Sequence, residues 1–178
     1  MISKDPRDLI SAAPMSSMQI TVVAMTIMLN ALDGFDVLSI SFASPGISAE
    51  WDIDRAALGV VLSMELIGMA LGSIFLGRLA DRIGRRPTIL CCLVLMTIGM
   101  FMVTTVSTIM QLSIWRVITG LGIGGMLATT NALTSEFANA RSRHLCISLM
   151  VVGYPVGAVI GGSITAQLLK TYDWRVVF

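Results

Sequence analysis

Two aspartates, Asp33 and Asp36, stand three residues apart inside an otherwise apolar run, with Asn30 one further turn back. In a helix that spacing puts them on one face, about a turn apart. Glu65 and Arg116 interrupt two other apolar runs in the same way. An Asp or Arg at the middle of a bilayer costs about 2.5–3.5 kcal/mol, so four such groups cost on the order of 10 kcal/mol before pairing. Charges at that depth mark ion or solute pathways. Two neighbouring carboxyls in a poorly hydrated site do not both ionise cheaply, so one is expected to hold a proton near neutral pH, as a proton carrier must. Asn30 offers donors to a polar solute, and Gly34 is expected to let the backbone loosen beside the pair. The plainer role for the four charges is to glue helices together, but packing needs no second aspartate.

The elements that must position these residues are membrane helices. The chain has 178 residues, 55% hydrophobic and 13% charged, against about 25% charged in soluble domains. Mean hydropathy is +0.84. Five apolar segments, about 18–44, 57–77, 87–106, 109–135 and 145–169, are each long enough to cross a hydrocarbon core of ~30 Å. The fold class is therefore all-α, a polytopic membrane helical bundle. Residues 1–17 form a polar leading segment and 18–178 the transmembrane domain. The net charge of +1 supplies no basic face, so nucleic acid is not an expected partner and the lipid bilayer is.

Lys4, Arg7, Arg78, Arg82, Arg85, Arg86, Arg141 and Arg143 fall on one side of these spans, and only Arg55, Lys170 and Arg175 on the other. That asymmetry predicts a cytoplasmic amino terminus. Counting 1.5 Å per residue, Asp33 lies ~16 Å from the outer surface, Asp36 and Glu65 ~12 Å and Arg116 ~10 Å. A common depth lets Arg116 neutralise a carboxylate if the helices are neighbours. Trp174-Arg175-Val176-Val177-Phe178 reads as the opening of a sixth span. The expectation is an amino-terminal piece whose partner is the missing carboxy-terminal half, with a complete five-span protein as the alternative.

Glycines recur every four residues at Gly68 and Gly72, at Gly120 and Gly124 with Gly122 and Gly125 beside them, and at Gly153, Gly157 and Gly161. This spacing lets helix backbones approach closely. Pro155 is expected to kink the fifth span. Cys91, Cys92, Cys146 and the lone His144 have no metal-ligand spacing, so neither metal nor cofactor is expected. No nucleophile–base pair suggests an enzyme.

The connector Gly77-Arg78-Leu79-Ala80-Asp81-Arg82-Ile83-Gly84-Arg85-Arg86 closely resembles the G-x-L-A-D-R-x-G-R-[RK] signature of the major facilitator superfamily. Asp33-Gly34-Phe35-Asp36 resembles the D-G-[FY]-D motif of its aromatic acid:proton symporters, and Arg116 with Gly120, Gly122 and Gly124 resembles their fourth-helix stretch. Glu136-Phe137-Ala138 with Arg141 and Arg143 is similar to their E-[YF]-x-P-x-R-x-R connector, although Asn139 replaces the proline. In the fifth helix Gly157-Ala158 lacks the Gly-Pro step of drug:proton antiporters.

The resemblance implies proton-coupled uptake of small organic anions, foremost aromatic acids such as hydroxybenzoates, by alternating access across a bacterial inner membrane. Asp33 and Asp36 would serve proton coupling and the substrate path, and Arg116 would pair with them or meet the substrate carboxylate. Gly77, Asp81, Arg82, Gly84, Arg85 and Arg86 would form a cytoplasmic gating motif, with Glu136, Arg141 and Arg143 as its companion cluster. Glu65 falls in no motif and is a site residue on its depth alone. The rivals are a sugar, dicarboxylate or drug carrier of the same superfamily, and a non-transporting membrane scaffold.

Overall fold

The computed structural model describes residues 14–178. The leading segment through residue 13, with Lys4 and Arg7, lies outside the described residues. Five long helices follow in chain order: α1 (Ser17–Trp51), α2 (Arg55–Ile83), α3 (Arg85–Val103), α4 (Ile109–Phe137) and α5 (Arg143–Leu168). A short 3-10 helix, Trp174–Val177, closes the chain where the opening of a sixth span was expected. All five long helices are long and apolar enough to cross a membrane, as expected from the apolar runs. Their outward faces carry Leu66, Phe75, Leu90, Phe101 and Val159, all exposed, as suits contact with lipid.

The helix ends have local causes. Ser16 and Gln19 form a reciprocal capping box that starts α1, and Gln19 Nε2 also donates to the Phe137 carbonyl at the end of α4, 2.8 Å away. Thr108 caps α4 by accepting from the Gln111 backbone N–H. The first span runs seven residues past Ser44, straight through Pro45. Proline removes the N–H that Ser41 would have received, and the Ser44 hydroxyl donates to the Ser41 carbonyl instead, at 2.9 Å. The signature decapeptide is likewise not a loop. Residues 77–83 finish α2, Gly84 alone turns the chain, and Arg85 begins α3. Gly84 sits at φ 100°, a backbone region where a side chain is strained. α5 passes through Pro155 as one continuous helix.

α4 is the central strut. It packs along α2, α3 and α1, while α1 packs along α5. The α2–α4 seam is a zipper of small residues. A Cβ on Gly68 or Gly72 would strike the Val117 or Leu121 carbonyl of α4. One on Gly120 or Gly124 would strike the Glu65 or Met69 carbonyl of α2. The four-residue glycine spacing thus serves close backbone contact. Gly34 belongs to the same class of contact and does not loosen the helix. α1 is unbroken there, and a Cβ would run into the Tyr154 carbonyl of α5.

Candidate functional site

The close seams bring polar groups on α1, α2 and α4 to one point. Gly120 lets α4 approach the α2 backbone at Glu65, and Arg116 lies one turn earlier on α4. Arg116 Nη1 lies 3.2 Å from Glu65 Oε1 and 3.7 Å from Asp36 Oδ1. Its Nη2 donates to the Ser39 hydroxyl at 2.7 Å, and Ser39 donates to the Asp36 carbonyl at 2.6 Å. The Phe178 ring closes one side, its centroid 4.7 Å from the guanidinium carbon. Asp36, Glu65 and Arg116 are each at most 4% exposed. A guanidinium so deep needs its carboxylates, since an unpaired buried charge costs several kcal/mol.

Asp33 stands apart from this network. It is fully buried, yet neither carboxyl oxygen has a hydrogen-bond partner among the described residues. With Asp36 it lines a cavity of about 360 Å³ whose other walls include Met96, Thr97 and Phe101 of α3 and Phe178. Arg116 therefore meets Asp36 and Glu65 but not Asp33. Asn30, on the neighbouring face of α1, donates from Nδ2 to the Met150 carbonyl of α5 at 2.6 Å.

The sequence-level residues thus separate into a buried cluster and a second group at the opposite end of α2 and α4. There Arg85 Nη1 pairs with Asp81 at 2.7 Å and Nη2 with Glu136 at 2.9 Å. The signature decapeptide and the Glu136 end of α4 meet through Arg85. Gly77 lies against Ala128 of α4, and Arg86 flanks an apolar recess between α1, α3 and α4. Arg82, Arg141 and Arg143 are exposed and stand outside these ion pairs. At the carboxy-terminal end of α1, Glu50 accepts from Trp174 Nε1 at 2.5 Å and from Arg175 at 2.7 Å, tying the 3-10 helix to α1. Among the described residues no group of three His, Cys, Asp or Glu side chains could hold a metal ion.

Sequence reasoning missed Ser39, although its position three residues after Asp36 puts it on the same face. It also missed the Glu50–Arg175 tie, because nothing local links residues so far apart.

Known proteins resemble nearly all of the chain. The 4-hydroxybenzoate transporter PcaK of Pseudomonas putida is 37% identical over 174 residues, 97% of this chain and 39% of that protein. Its namesake from Acinetobacter baylyi is 34% identical over 177 residues, 99% of this chain and 38% of that protein. A gallate transporter of Pseudomonas putida is 28% identical over 173 residues, 97% of this chain and 38% of that protein. The chain thus spans about two fifths of the length of the curated relatives it matches. The profile of the Major Facilitator Superfamily matches residues 24–178, all five long helices nearly in full. With a match of that extent, the chain is a multi-pass membrane protein that belongs to the Major Facilitator Superfamily.

Proposed function

We propose that the native gene product imports small aromatic carboxylates together with protons, by alternating access. The observation that carries this reading is the buried cluster itself. Two carboxyls, Asp36 and Glu65, share a single guanidinium, and Asp33, one turn from Asp36 on α1, keeps a buried carboxyl with no hydrogen-bond partner among the described residues. Structural glue would match each charge; here one carboxyl is left over. Protonating Asp36 frees Arg116 toward an incoming carboxylate, and releasing the proton lets Asp36 reclaim it. The proton and the anion thereby favour each other's binding, which is the requirement for moving them together. The names of the relatives, transporters of 4-hydroxybenzoate and gallate, support an aromatic acid as the solute.

In this reading the protein is a carrier and not an enzyme. It sits in an inner membrane with residues 1–17 and the Arg85 cluster on the cytoplasmic side, and a second helical bundle completes the pathway. The Arg85–Asp81–Glu136 pairs act as the cytoplasmic latch, with Arg82, Arg86, Arg141 and Arg143 around them.

The test is uptake of labelled 4-hydroxybenzoate into membrane vesicles containing the native gene product, with the exterior made more acidic. For one proton per monoanion, one pH unit is worth about 1.4 kcal/mol, or a tenfold concentration ratio. Accumulation that collapses with a protonophore is the expected result. Equal rates with and without the gradient would overturn proton coupling.

A further inference from the structure

Asn30 is nearly fully buried, and its two polar ends are treated differently. Its Nδ2 donates to the Met150 carbonyl at 2.6 Å, while its Oδ1 is buried with no hydrogen-bond partner among the described residues. Buried acceptors are almost always paired, so an orphaned one needs an explanation. Asn30 lines a recess of about 320 Å³ between α1, α4 and α5, within the size range of small-molecule sites. Its other walls include Leu127, Asn131, Met150, Tyr154 and Pro155. Asn131 has its own Nδ2 turned back on the Leu127 carbonyl at 2.8 Å, which leaves its Oδ1 as the outward end. The Tyr154 hydroxyl, the third polar group, makes no hydrogen bond with the described residues.

The chemistry of that wall is selective. Two asparagines and one tyrosine stand among its apolar lining residues, and none of its residues is cationic. A carboxylate would find no counter-charge and would face acceptors with acceptors. A hydroxyl suits it, since one O–H can donate to Asn30 Oδ1 and accept from Tyr154. The cation that suits a carboxylate, Arg116, lies elsewhere, in the cluster with Asp36 and Glu65.

We propose that the recess formed by Asn30, Asn131 and Tyr154 is the subsite for the ring hydroxyl of a hydroxylated aromatic acid, and sets the preference for hydroxylated over unsubstituted rings. This inference rests on the transport reading given above. A site built to hydrogen-bond a hydroxyl discriminates against the analogue lacking it, because its own polar groups are then left unpaired.

The experiment compares initial uptake of labelled 4-hydroxybenzoate and labelled benzoate by cells making the native gene product, Asn30→Leu or Tyr154→Phe, at matched membrane levels. Tyr154→Phe keeps the helix contacts and removes only the hydroxyl, so it remains informative if Asn30→Leu fails to insert. One neutral hydrogen bond corresponds to roughly a two- to tenfold change in apparent affinity. The expected result is a KM for 4-hydroxybenzoate raised by that factor in each inserted variant, with the KM for benzoate unchanged or lowered. Equal changes for both acids, or no change for either, would overturn the subsite while leaving the transport reading intact. If the unmodified protein takes up neither acid, the transport reading fails and the subsite falls with it.

Discussion

Arg116 decides the electrostatics at the scale of single residues. It is completely buried and faces Glu65 at 3.2 Å and Asp36 at 3.7 Å. Removing one partner of such a pair leaves an uncompensated buried charge and costs about 3–5 kcal/mol. Arg116→Ala should therefore lower the unfolding midpoint of the detergent-solubilised protein sharply. Adding Glu65→Gln to Arg116→Ala should recover part of the loss, because it removes the stranded carboxylate. Thermal unfolding of the single and double variants checks this, and strict additivity would contradict the pairing. Asp33→Asn should behave oppositely, with stability unchanged or raised, because Asp33 has no hydrogen-bond partner to lose among the described residues. These partners were only half legible in the chain. Four ionisable groups at one depth could be read from their distances along apolar runs, but which of them touch depends on the order in which helices pack. Glu65 fell in no motif, yet it makes the shortest ion pair to Arg116.

Helix seams explain more than helix propensity does at the scale of elements. Gly124 faces the Met69 backbone so closely that a Cβ has no room, whereas a Cβ on Gly59 would meet nothing within 4 Å. Gly124→Ala should destabilise the bundle by about 1–3 kcal/mol, the usual cost of overpacking, and Gly59→Ala should not. Unfolding of the two variants in the same detergent gives the comparison. Small residues at four-residue spacing announced these seams, and apolar runs announced the five spans. Two features misled. The first apolar segment reads as ending near Ser44, but the Ser44 hydroxyl supplies a donor to the carbonyl freed by Pro45 and the helix continues to Trp51. Gly34 beside two aspartates looked like a hinge, but its place is under the Tyr154 carbonyl. The Gly34 outcome depends on what stands across from the residue, which spacing within one helix does not contain, whereas the Pro45 outcome turns on its own neighbour Ser44. At the turn between α2 and α3 Arg85 bridges Asp81 and Glu136 in a partly exposed setting. Exposed pairs contribute only about 0–1 kcal/mol, so Arg85→Ala should barely move stability. Its effect should fall on uptake rate, if these pairs form the latch between α2 and α4.

For the whole molecule, the proposed orientation rests on where the arginines lie. Arg78, Arg82, Arg85, Arg86, Arg141 and Arg143 share one end of the bundle, while Glu50, Asp52 and Asp54 lie at the other. A membrane-impermeant thiol reagent applied to intact cells should modify Asp54→Cys and leave His144→Cys untouched until the membrane is opened. The reverse pattern would invert the assigned topology. The central claim is that the α1 carboxyls couple proton and anion movement. The most direct measurement is initial uptake of labelled 4-hydroxybenzoate by cells making the native gene product, Asp33→Asn or Asp36→Asn, with membrane levels matched. The account predicts protonophore-sensitive uptake by the unmodified protein and its loss in both variants, although both insert normally. Undiminished uptake in both variants would contradict it.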